Sequence, residues 1–175
     1  MFRRHGARRL PGGGLRLVIA VVERDALRQL PDQLRAIADG EAAGPQADAH
    51  RARMFPAASD DPETDRTYRE LVGSSLAEDR VDQLARFASS LQAGRTTAGD
   101  WTVDLDADEA HAWMVVTNDA RLVLGNLVGI RSEADWERGP DPADHRSLLL
   151  WWLGWLEEQL VQALMGGLEA DQRST

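Results

Sequence analysis

The chain has 175 residues and a formal net charge of −9, with no cysteine and no lysine, all twenty basic residues being arginine. That length suits one domain with a real core, and the missing residue types exclude disulfides, thiolate nucleophiles and ligands, Schiff-base lysines and a phosphate-loop lysine. Arg3, Arg4, Arg8 and Arg9 put +4 on the first fourteen residues, so the remainder stands at −13 and repels phosphate backbones unless its arginines cluster.

Residues 1–14 end in Gly12-Gly13-Gly14 and read as a disordered basic arm. Arg3-Arg4 ahead of the apolar run Leu15–Val22 has the outline of an export signal. The run is short, holds Arg16 and leads straight into Glu23-Arg24-Asp25 with no cleavage site, so a cytoplasmic protein is expected. No stretch approaches the roughly eighteen apolar residues of a membrane span. The branched residues from Leu15 predict a strand, and Glu23 begins a helix with Ala26, Leu27, Leu30, Leu34, Ile37 and Ala38 on one face. Pro31 falls inside that pattern, which requires either a kink near Leu30 or two short helices that abut there.

Residues 40–64, with three prolines and no sustained period, read as a long loop that Met54-Phe55-Pro56 pins to the body. Asp65 to Leu76 predicts a short helix using Tyr68, Leu71 and Val72. A longer helix follows Ser74-Ser75, with Val81, Leu84, Phe87, Ala88 and Leu91 on one face and Gly94 as its stop. Trp101 to Leu105 alternates apolar and polar residues, so it pairs with the strand near Leu15 as a two-stranded antiparallel ribbon lying on the helices. Asp106 with Glu109 forms a capping box for a helix reaching about Val128. After a polar loop holding Trp136, the last helix begins near Ala143. Its main stripe is Leu149, Trp152, Leu153, Leu156, Leu160, Ala163 and Leu164, with Trp151, Val161 and Met165 roughly opposite. The expected fold is mainly α, a helical bundle with that small ribbon, forming a single domain over residues 15–169, with 170–175 a disordered tail.

Arg121 shares the heptad position of Met114 and Val128 within the apolar stripe, so its guanidinium must find an acid. Asn118 lies one turn earlier, and Glu157 or Glu158 on the last helix is the expected carboxylate. Such a pair either fixes how two helices register or holds a ligand. Asp108 with His111 and Asp141 with His145 place acid and imidazole one turn apart. No third ligand stands at a recognisable spacing, so they read as capping chemistry and no metal or other cofactor is expected. Six tryptophans read first as core, while Trp151, Trp155, Val161 and Met165 form a candidate partner surface if the last helix is not covered on both sides. No nucleophile elbow or catalytic triad is visible, so the chain is not expected to be an enzyme.

The segment running from Trp113 through Asn118, Asp119 and Arg121 to Gly125, followed by Trp152-Leu-Gly-Trp155-Leu-Glu157-Glu158-Gln-Leu160-Val161, resembles the actinomycete oxidative-stress transcription regulator family, long filed as a domain of unknown function. Met54-Phe55-Pro56, Asp61-Pro62-Glu63 and Tyr68-Arg69-Glu70-Leu71-Val72 are similar to its middle segment, and the likeness covers about residues 15 to 168. The resemblance implies a cytoplasmic regulator of the redox response that acts in transcription through protein partners such as a sigma factor. It makes Asn118, Asp119, Arg121 and Glu158 family-pattern positions. Without cysteine this chain cannot sense oxidants through its own thiols, and its acidic body offers no clear DNA-reading helix, so direct DNA contact and oligomeric state stay open. Two other classes remain: a non-catalytic helical adaptor or scaffold, for instance in regulated proteolysis, and a metal or small-ligand enzyme using His111 and His145.

Overall fold

The computed structural model describes residues 5–39, 41 and 45–166. Among these described residues four strands and seven helices follow in the order β1 (Gly6–Arg9), β2 (Leu15–Ala20), α1 (Val21–Leu27), α2 (Leu30–Ala38), α3 (Pro45–Met54), α4 (Pro62–Ala93), β3 (Arg95–Thr97), β4 (Asp100–Leu105), α5 (Ala107–Val128), α6 (Glu133–Glu137) and α7 (His145–Met165). The fold is mainly α, as the helical periodicity requires.

The expected β2–β4 pairing is present and antiparallel, with Leu15 opposite Leu105, Leu17 opposite Val103 and Ile19 opposite Trp101. All six side chains are buried, so one face of the pair is core. The ribbon of two strands is, however, a sheet of four, in the order β1-β2-β4-β3. Both additions are short edge strands that place few apolar residues in the core, so they leave no alternating signature in the sequence. Residues 6–9, expected within a disordered arm, are β1. The glycines read as flexible close its hairpin: Gly12, Gly13 and Gly14 all have positive φ, and Leu10 N–H donates to the Gly14 carbonyl at 3.1 Å. The β3–β4 turn likewise holds Ala98 at φ 53° and Gly99 at φ 87°. Residues 1–4 of that arm and the tail 170–175 lie outside the described residues.

The Pro31 ambiguity resolves into two abutting helices, with Pro31 in the first turn of α2, where its missing N–H costs nothing. Residues 40–64 are not wholly a loop, since α3 occupies ten of them. Its composition is polar and it buries mainly His50 and Met54, too few residues to set up a period. The two helices expected either side of Ser74-Ser75 are one, α4, of 32 residues. Ser75 does not break it because its hydroxyl donates to the Val72 carbonyl within the helix at 2.9 Å. Asp61 caps α4, accepting from Thr64 N–H at 3.0 Å, while Leu71 on its outer side is 78% exposed and takes no part in the core.

The Asp106–Glu109 capping box starts α5, and the left-handed Gly129 ends it. One side of α5 packs on α4 and the sheet, another on α7. Between α4, α5 and β4 sits an aromatic cluster: the Trp113 ring lies 4.6 Å from Phe87 and 6.1 Å from Trp101, all three sealed from solvent. The Trp113 indole N–H donates to Ser90 Oγ at 2.8 Å, so the one polar atom of that buried ring is satisfied. α7 begins at His145, capped by Asp144, and buries Leu150, Leu153, Leu156, Leu160 and Ala163 against α5 and the sheet.

Candidate functional site

Arg121 leaves α5 toward α7 and forms an ion pair with Glu157, the two side chains being 31% and 17% exposed. Gly154 borders the pair: a Cβ built there would lie 3.8 Å from Arg121 Nε and 3.7 Å from the Trp136 ring, ordinary van der Waals contact. The guanidinium carbon is 5.9 Å from the centre of the Trp136 indole, a cation–π distance. Trp136 in turn stacks on Trp151 at 4.2 Å with an interplanar angle of 11°. The chain Glu157, Arg121, Trp136, Trp151 therefore joins α5, α6 and α7. Burial lowers the Arg121 pKa from its usual value, but a guanidinium stays cationic throughout the working range of a protein.

Of the five network positions read from the sequence, these two meet. Glu158 is exposed and accepts from Gln162 Nε2 at 3.1 Å, because one residue along a helix turns the side chain by about 100° away from the contact. Asn118 is exposed as well. Asp119 faces another way, toward α4. Trp136 was missed as a member of this cluster, though the Ser132–Asp135 capping box ahead of it marks the short helix that carries it.

Asp119 is 2% exposed and its Oδ2 lies 3.4 Å from Arg80 Nε, while its Oδ1 has no partner among the described residues. Burial pushes this carboxyl up to about 6, with Arg80 pulling the other way. The folded chain then holds a proton on Asp119 in the interval between its ordinary 3.8 and about 6, where the unfolded chain has released it. Stability should fall as pH rises through that interval and level off above it. A shift of this size corresponds to a ceiling of about 3 kcal/mol. Asp119→Asn is accordingly expected to stabilise the protein by roughly 1–3 kcal/mol at pH 7.5 and to change little near pH 4, as read by urea unfolding at both values. A gain that is larger at the lower pH would contradict this account.

Arg80 also faces a cleft of about 850 Å³, bounded by the end of α3, residues 55–58, α4 and the first turns of α5. Met54, Phe55, Leu76 and Val115 supply apolar wall, and Arg80, Gln83 and His111 supply polar groups. No sequence signal marked this cleft, because its residues come from a stretch read as loop and from a helix read as two. The Asp108–His111 pairing does not form: Asp108 faces Arg86 at 3.7 Å, and His111 lines the cleft. Asp141 accepts from Ala143 N–H at 2.9 Å, and His145 is exposed. Among the described residues no three His, Asp or Glu side chains come together as metal ligands.

The tryptophans divide. Trp101 and Trp113 are core, whereas Trp136, Trp151, Trp152 and Trp155 are only partly covered. Leu148, Trp151, Trp155 and Met165 recur at heptad spacing along the outer side of α7, with Met165 60% exposed. Val161 is half-buried one turn beyond Glu157 and lies off that line. The last helix is therefore covered on its inner side and in part by Trp136, with Leu148 and Met165 open to solvent and Trp151 and Trp155 partly covered between them.

Among the described residues no helix is long and apolar enough to cross a membrane. Residues 3–164 match a family model described as Domain of unknown function (DUF2017). No curated protein and no solved structure matches.

Proposed function

Since the chain belongs to the DUF2017 family, we propose that it is a non-catalytic regulatory protein of the oxidative-stress response, acting in transcription through a protein partner such as a sigma factor. The observation that carries the protein-contact half of this reading is the apolar strip Leu148, Trp151, Trp155 and Met165 on the outer side of α7. Trp151, stacked on Trp136, and Trp155 are partly open to solvent, and tryptophans so placed are the anchors that protein interfaces favour. The acidic body supports a protein partner over nucleic acid, because it lacks the cationic excess that phosphate contacts demand. The regulatory half rests on the likeness of residues 113–125 and 152–161 to the oxidative-stress regulators. A cytoplasmic location follows from the same reading.

The test is a crosslinking pull-down of the intact chain from its native cell extract, identified by mass spectrometry. A transcription component is expected in the captured set, and Trp155→Glu is expected to reduce its recovery about tenfold while leaving the helical content unchanged. Recovery of no transcription component, together with no promoter occupancy by chromatin capture, defeats the proposal. Capture of a protease or chaperone in its place would move the assignment to an adaptor in regulated proteolysis.

A further inference from the structure

The strip on α7 passes beneath a small piece of chain that is loosely fastened to the body. Residues 131–139 carry the five-residue α6, which buries no side chain. Among the described residues the hydrogen bonds of this segment close within it. Asp135 accepts from the Arg131 and Ser132 N–H groups at 2.9 Å and pairs with Arg138, while Gly139 N–H donates to the Trp136 carbonyl at 3.1 Å. Left-handed glycines stand on both sides of α6, Gly129 at φ 83° and Gly139 at φ 74°. What the segment lays on the body is the Trp136 ring, 4.2 Å from Trp151 and nearly parallel to it, with the Arg121 guanidinium carbon 5.9 Å from the ring centre. That ring is itself 37% exposed.

The seat under Trp136 is made for an aromatic face. Trp151 supplies a flat π surface, Gly154 presents no side chain there, and Arg121 supplies a cation at the distance where a ring quadrupole attracts it. We propose that Trp136 is a placeholder in this seat, and that the partner of α7 displaces α6 and inserts an aromatic side chain of its own, tryptophan foremost. The proposal rests on α7 being the partner-facing helix and adds which side chain the partner must bring. Leu148 and Met165 lie about 25 Å apart along α7, whereas α6 is about 7 Å long. A partner helix can therefore cover Leu148, Trp155 and Met165 together with the seat, as α6 cannot, and those added contacts favour the exchange. Until it occurs, Trp136 keeps one large ring of the strip partly out of water and lowers the apparent affinity of any competitor by the fraction of chains in which the seat is open.

The experiment is fluorine NMR of the intact chain made with 5-fluorotryptophan, each of the six tryptophans being identified by its single replacement with phenylalanine. N-acetyltryptophanamide is titrated into the parent and into Trp136→Ala, with N-acetylleucinamide as the aliphatic control. In Trp136→Ala the Trp151 resonance is expected to shift saturably with the tryptophan probe, and the leucine probe to bind at least about fivefold more weakly. Trp101 and Trp113 should keep their resonances, which shows that the variant is folded. In the parent the tryptophan probe should bind at least about tenfold more weakly than in Trp136→Ala, because it competes with a seated ring. The parent's Trp136 and Trp151 resonances should move together, a readout that does not depend on the variant folding. The proposal is overturned by a Trp151 resonance unmoved in Trp136→Ala, by a leucine probe that binds as well as the tryptophan one, or by equal affinity in parent and variant. A parent Trp136 that stays in place up to the solubility limit of the probe would overturn it too. The titration uses no cellular partner, so its failure leaves the pull-down result standing, and an empty pull-down leaves the seat standing.

Discussion

Glu157→Leu is expected to destabilise the protein by about 2–3 kcal/mol, and Arg121→Leu by only about 1 kcal/mol. The asymmetry comes from proton chemistry. Without Glu157 the guanidinium cannot discharge itself, and its Nε is already enclosed without a partner among the described residues. Without Arg121 the acid can take up a proton and become a neutral, poorly solvated carboxyl at moderate cost. Both side chains keep some contact with water, so the loss is set at or below the lower end of the range for fully buried pairs. The double variant, Leu facing Leu beside Gly154, should recover most of the Glu157→Leu loss, giving a coupling energy measurable in a double-mutant cycle by denaturant unfolding. A coupling energy of zero in that cycle would show that the pair is dispensable and that the helices are held by packing alone. Glu158→Leu serves as the control and should be within about 0.5 kcal/mol of the parent, since that acid is on the surface.

The second large effect is expected at Gly94, where α4 ends. Its backbone, at φ −69° and ψ 158°, is open to any residue, so the need for glycine is not conformational. What excludes a side chain is the Trp101 indole: a Cβ on residue 94 would fall inside the ring edge formed by Cε2, Cζ2 and Nε1. Trp101 is sealed from solvent and lies against Trp113, so the ring has little room to yield. Gly94→Ala should therefore cost about 3 kcal/mol and lower Tm by roughly 10 °C. Trimming the obstacle should relieve the strain, so Trp101→Leu is expected to cost less in the Gly94→Ala background than in the parent. Strict additivity of the two changes would show that the ring moves aside.

What the sequence made legible follows from where side chains meet the core. β2, β4, α5 and the Asp106 cap could be read because Leu15, Leu17, Ile19, Val103 and Trp113 bury themselves at the period of their element. β1 and β3 are held mainly by backbone hydrogen bonds along sheet edges, so their residues follow no apolar rule and glycine-rich turns pass for flexibility. The Arg121 pairing could be anticipated from a charge in an apolar heptad position, although spacing alone left Glu157 and Glu158 undivided until the phase of α7 was known. Asp119 and Arg80 could not be paired in advance. Arg80 sits on a helix expected to begin only after Ser75, and nothing local distinguishes a buried aspartate from one on the surface. The cleft was invisible for the same reason: His111, Gln83 and Met54 belong to three elements whose relative placement is a tertiary fact.

The central pairing of the sheet has a consequence for how the protein is made. Arg16 of β2 and Asp104 of β4, hydrogen-bonded neighbours in the finished sheet, are 88 positions apart in the chain. All of α1 to α4 leaves the ribosome between them, and at roughly 5–20 residues per second that interval lasts several seconds. During it the Leu15–Ala20 strand carries its apolar face and its open edge with no native neighbour on that side. Nascent chains should therefore be at their most adhesive just before β4 emerges. Shielding of apolar surface by a chaperone should matter over that window and little afterwards.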